Sequence, residues 1–231
     1  MKITIHQPNF LPYLGFFDKC DYADLIVLYD STQFKKNDFQ NRNKLKTKDG
    51  WTWITIPVNY NFGDKISEVK IANNLEWKRK HLHIIKENYS KSKHYLDYIG
   101  EIEKIYSKDY ENLSEFNIVF LKFLLDKIGI KKKIILTSGL GIKNKSSEAL
   151  LEISIKLNAK TYISGIDGEN YLDKEIFNKA KIDVEFQKYK HPKYTQLWGG
   201  EFEPFMSVLD LLFNEGPNSL NIIKSGRYYT K

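Results

Sequence analysis

Short apolar runs alternate with amphipathic stretches along the chain. Ile3–His6, Leu25–Tyr29, Ile134–Thr137, Thr161–Ser164 and Val184–Lys188 have the length and β-branched character of strands buried on both faces. Phe16–Tyr22 and Ser147–Leu157 carry helical spacing, with Leu150, Leu151, Ile153 and Leu157 on one stripe. Strand alternating with helix predicts a parallel sheet. Trp51–Val58 alternates with a period of two, and Val69–Ile71 follows after a polar turn, which predicts a hairpin. Behind it come helical patterns at Leu75–Tyr89 (after an Asn73-Asn74 cap), Glu101–Tyr106 and Ser114–Ile128, and Met206–Phe213 closes the pattern. The expectation is one α/β domain over residues 1–231. Its mostly parallel, Rossmann-like sheet is flanked by helices, with a hairpin plus helical insertion at about 50–130.

Composition narrows the classes. No apolar run approaches the roughly 18 residues that span a bilayer, so membrane insertion is not expected. The start lacks a basic n-region followed by an apolar h-region, and Cys20 is the single cysteine, which excludes an internal disulfide; both point to the cytoplasm. A net charge of +7 suits an anionic partner, but it is carried mostly by scattered lysines. Lys131–Lys133, the one run of three lysines, falls where a solvated turn belongs. No RNP, zinc-finger or helix-turn-helix signature occurs, and nucleic acid is not an expected partner. A homo-oligomer is compatible with this composition.

Polar chemistry concentrates where the apolar runs stop. The first ends on His6, Gln7, Pro8 and Asn9, the second on Asp30-Ser31, the third on Thr137-Ser138-Gly139 and the fourth on Ser164-Gly165. The fifth leads through Lys188 to His191-Pro192. Ligands of open parallel sheets bind beyond those carboxyl ends. His6 and His191 are therefore the catalytic candidates, imidazoles being the side chains most easily poised near neutral pH, with Gln7, Asn9, Asp30, Ser164 and Gly165 beside them as binding candidates. The plain alternative is a structural, hydrogen-bonded histidine. In Ser31–Gly50, Asn41-Arg42 is the expected phosphate contact, because a guanidinium forks two donors; an exposed mobile loop explains the neighbouring lysines. "TSGLGIKNKSSEALLEI" sets Lys143, Lys145 and the Ser146-Ser147 pair before a helix, an anion seat or a simple cap that does not match the P-loop spacing. Tyr194 and Gln196 are candidates to orient a sugar. His81, His83 and His94 lie in or beside a polar helical segment and are expected to be solvated. Cys20 reads as core. No G-x-S-x-G and no metal-ligand spacing occur, so no metal is expected.

Five ordered blocks, "IHQPNFLPYLGFFDK", "ADLIVLYDSTQFKKNDFQNRNKLK", "WTWITIPV", "YISGIDGENYLD" and "HPKYTQLWGGEFEPFMSVLDLLFNEGP", resemble the WbqC-like protein family over essentially the whole chain. The resemblance implies a place in O-antigen or other surface-polysaccharide biosynthesis. Such polysaccharides carry acylated amino sugars, so the expected chemistry is acyl or aminoacyl transfer to a nucleotide-linked amino sugar, with ATP or acyl-CoA as the candidate co-substrate. In that reading Asn41-Arg42 and Ser146-Ser147 hold phosphates, His6 or His191 is the general base, and Tyr194, Gln196 and Asp30 orient the sugar. A non-catalytic nucleotide-sugar binding or assembly protein is the alternative. A glycosyltransferase-like enzyme would require a D-x-D that is absent. The opening also loosely resembles nucleotidylyl-transferase-type folds, but their H-x-G-H is missing.

Overall fold

The computed structural model describes residues 1–230. In chain order, β1 (Lys2–His6), α1 (Leu14–Tyr22) and β2 (Leu25–Leu28) are followed by β3 (Arg42–Thr47), β4 (Gly50–Thr55), β5 (Val58–Asn59) and β6 (Lys70–Ile71). Next come α2 (Trp77–Tyr89), α3 (Tyr95–Ser107), α4 (Leu113–Ile128), β7 (Lys133–Leu136), α5 (Ser146–Lys156) and β8 (Thr161–Ser164). The last elements are α6 (Lys174–Lys179), β9 (Asp183–Gln187), α7 (Val208–Glu215), α8 (Ser219–Ser225) and β10 (Tyr229–Thr230). A six-stranded sheet takes the order β10-β9-β8-β1-β2-β7, parallel except for β10. All five expected strands lie in it.

Period-two alternation assigns the two faces of that sheet. Ile3 and Ile5 of β1 with Leu25 and Val27 of β2 join a cluster built with Ile153 and Phe177 from α5 and α6. Ile26 and Leu28 turn the other way, into a larger cluster that runs through Phe16, Ile54, Phe116 and Phe120 to Leu212 and Phe213. The hairpin and helical segment therefore share a core with the sheet.

Two expectations about the middle of the chain are corrected. β4 pairs with β3, so Arg42–Thr47 is a strand rather than a mobile loop. Its inward face carries Asn43 and Leu45, 1% and 0% exposed, and an amide on a buried face conceals a strand from a hydrophobicity pattern. His81 is also buried, not solvated, with Nδ1 3.1 Å from the Tyr106 hydroxyl and Nε2 3.1 Å from the Thr55 carbonyl. Cys20 is core, as expected.

Candidate functional site

The strand order reverses at β1. From there the chain moves out to β2 and β7, then resumes at β8 and β9 on the opposite side. Such a reversal leaves a crevice beyond the carboxyl ends of the diverging strands, because their loops swing apart. The residues at those two ends are His6 and Ser164-Gly165. A cavity of about 1130 Å3 opens there. His6, Gln7, Asn9, Tyr13, Lys19, Tyr29 and Gly165 form its inner wall, and the exposed Lys65, Lys143, Lys145, Ser146 and Asp167 stand around its mouth.

The loop after β1 is stitched by buried amides. Asn117 Nδ2 donates to the carbonyls of Pro8 and Gln40, both at 2.7 Å, and Gln40 Nε2 donates to Gln7 Oε1 at 2.9 Å. Asn43 Nδ2 donates to the Leu11 carbonyl at 2.7 Å, where Leu11 holds a left-handed φ of 46°. A leucine in that conformation costs roughly 1–3 kcal/mol, so the surrounding bonds must over-determine it. On the β8 side, Gly168 cannot be replaced without movement, since an added Cβ would lie 2.0 Å from Ser164 Oγ.

Two titratable groups face the cavity from these supports. The His6 ring lies 4.6 Å from that of Phe16, and neither ring nitrogen has a hydrogen-bond partner among the described residues. Burial, reinforced by the Lys19 charge, drives its pKa well below 6.5, so the imidazole is neutral. Lys19 is 4% exposed, and its ammonium has no ion-pair or hydrogen-bond partner among the described residues. Burial lowers its pKa from 10.5 to about 8, opposed by the carboxylates of Asp18 and Asp167. Perturbed titratable groups gathered in one cleft make it the candidate functional site.

A family model described as the WbqC-like protein family matches residues 7–222. The chain belongs to that family. WbqC-like membership is associated with polysaccharide biosynthesis. "Uncharacterized protein Rv1507c" of Mycobacterium tuberculosis (strain ATCC 25618 / H37Rv) is 33% identical over 227 residues, which cover 96% of this chain and 97% of that protein. No solved structure matches.

Within this WbqC-like fold the expected site residues separate. His6, Gln7, Asn9, Ser146 and Gly165 share the cavity. The others do not line it. Asp30 is buried and accepts from Ser138 N at 2.8 Å and Thr137 Oγ1 at 3.1 Å, which ties β2 to the end of β7. Asn41 donates to the Ile56 carbonyl, and the Arg42 guanidinium lies 4.2 Å over the Trp53 ring on the hairpin. Ser147 bridges Tyr171 and Asp173 through its hydroxyl, while Ser164 is buried beneath Gly168. Tyr194 and Gln196 both donate to the buried Asp210. His191 is engaged at both nitrogens, Nδ1 lying 2.9 Å from the Pro192 carbonyl and Nε2 accepting from Phe205 N at 3.2 Å. One composite site holding His6, Arg42 and His191 is thus corrected: strand β3 and the aromatic packing of residues 189–205 carry the latter two elsewhere.

Lys19 escaped the sequence reading. The available signal was its position three residues after Phe16 and four after Gly15, on the helix face that turns inward. Among the described residues no helix is long and apolar enough to cross a membrane, and no cluster of metal-ligating side chains occurs.

Proposed function

We propose that this WbqC-like protein acts in surface-polysaccharide biosynthesis of the O-antigen type, forming an amide by acyl or aminoacyl transfer to a nucleotide-linked amino sugar. One observation carries the reading: an unpartnered neutral imidazole and the unpartnered ammonium of a buried lysine share a cavity whose mouth bears three lysines. Lys65, Lys143 and Lys145 suit the diphosphate of a nucleotide sugar. Asn9 lines the same cavity, and its amide suits a hydroxyl on the sugar. The amine nitrogen attacks the acyl carbon, a C–N bond forms, and His6 accepts the amine proton as general base. Lys19 stabilises the oxygen on which negative charge develops. With acyl-CoA the bond broken is the thioester, and the thiolate leaves. With ATP a carboxylate oxygen first displaces pyrophosphate from the α-phosphorus, and AMP then leaves as the amide forms.

The test is product mass after incubation with nucleotide-linked amino sugars and either acyl-CoA donors or carboxylic acids plus ATP. Wild-type protein should add the acyl mass. His6→Gln should lose on the order of 10²–10⁴ in turnover while retaining nucleotide-sugar affinity. Nucleotide-sugar binding with no mass gain across the panel would overturn catalysis in favour of a binding or assembly protein.

A further inference from the structure

Two lysines of this chain are buried, and they are treated differently. Lys46, 3% exposed, donates to the Thr47 carbonyl at 2.9 Å. Lys19, 4% exposed, has no such acceptor among the described residues and turns into the cavity, 3.5 Å from where a Cβ on Gly165 would sit. A glycine there lets the β8 loop lie against the ammonium while leaving it open to the cavity. The nearest acidic neighbours do not neutralise it. The carboxylate of Asp18 is fully engaged: Arg227 Nε lies at 2.7 Å, and Gln187 Nε2 and the Tyr229 hydroxyl both lie at 2.8 Å. Asp167 is exposed and outside ion-pair distance. Neither His6, which is neutral, nor the Cys20 thiol, which burial keeps protonated, supplies the missing charge.

The structure assigns Lys19 as the recognition group for a ligand carboxylate at the inner end of the cavity, separate from the lysines at its mouth. The surroundings select a single negative charge. Ile5, Phe16 and Tyr162 line the same interior, and a buried cation is compensated there by one anion, whereas a doubly charged phosphate would leave an excess charge out of water. At the mouth, Lys65, Lys143 and Lys145 are exposed and suit a multiply charged group. The cavity thus has two anion positions at two depths. This rests on the amide-forming reading and makes it more specific: the donor enters as a free carboxylic acid, the form that ATP activates, rather than as a CoA thioester.

Lysine Nζ protonation followed by NMR of protein labelled with 13C at lysine Cε tests the assignment, with the Lys19 signal identified by its loss in Lys19→Met. The probes are acetate and inorganic pyrophosphate. Saturating acetate should raise the Lys19 titration midpoint by about one pH unit, a tenfold gain in proton affinity, and pyrophosphate should shift the signals of Lys143 and Lys145 while leaving Lys19 in place. An acetate-insensitive midpoint, or one that pyrophosphate moves instead, would overturn the assignment. The titration uses wild-type protein, so it does not depend on the variant's fold. Product formation with a silent Lys19 would remove this inference and keep the amide-forming reading; acetate binding at Lys19 without product would do the reverse.

Discussion

Lys19 sets a measurable sign at the scale of the residue. Its native pKa of about 8 lies below the ordinary 10.5, so between those values the unfolded chain holds a proton that the native protein has released. Stability must therefore rise with pH across that window, by on the order of 3 kcal/mol from this group. Below about 8 the native protein carries the buried charge and bears its full cost. Lys19→Met should be more stable than wild type at pH 7, with the gap closing by pH 10.5, as measured by urea unfolding at both pH values. His6 was legible because a polar residue stops an apolar run at a strand end. Lys19 was not, because "DKCDY" carries three charges on a short helix and reads as a solvent face. The cover comes from the β8 loop, some 145 residues later in the chain, a distance that local patterning does not cross.

At the scale of the element, the support for the site is an amide lattice rather than an apolar contact. Asn117 projects from α4 and satisfies two buried carbonyls, one of them next to the cavity residues Gln7 and Asn9. Asn117→Leu should cost roughly 2–4 kcal/mol by leaving both carbonyls unpaired in the core, read as a lowered unfolding midpoint at unchanged m-value. The same lattice explains which elements the sequence disclosed. β2 is apolar on both faces and stands out at once, and β1 and β9 show through the alternation of Ile3 with Ile5 and of Val184 with Phe186. β3 stays hidden because Asn43 occupies its inward face, and the lattice that gives an amide a reason to be buried exists only in the folded protein. β10 is two residues long, and its pairing with β9 is decided by tertiary context.

On the scale of the whole molecule, α1 is held from outside by the last elements of the fold. Arg227 reaches Asp18 at 2.7 Å and Asp21 at 2.5 Å, and Tyr229 adds its hydroxyl to Asp18. Arg227→Leu leaves the Asp18 carboxylate, 0% exposed, without its cation. Because the arginine itself is about a quarter exposed, the expected loss is about 2 kcal/mol rather than the 3–5 of a fully buried pair. Thermal unfolding should report that loss, together with weaker acetate binding as α1 loosens around Lys19. The two outer strands of the sheet carry a different consequence. β10 offers only two residues to a neighbour, and β7, whose Ile134, Ile135 and Leu136 are partly buried, is entered through Lys131, Lys132 and Lys133. A second chain that tried to add a strand beside β7 would have to bring its backbone against that cationic entry. Charge at the entry to an edge strand disfavours pairing with a second chain, so the lysine triplet works against continuation of the sheet at β7.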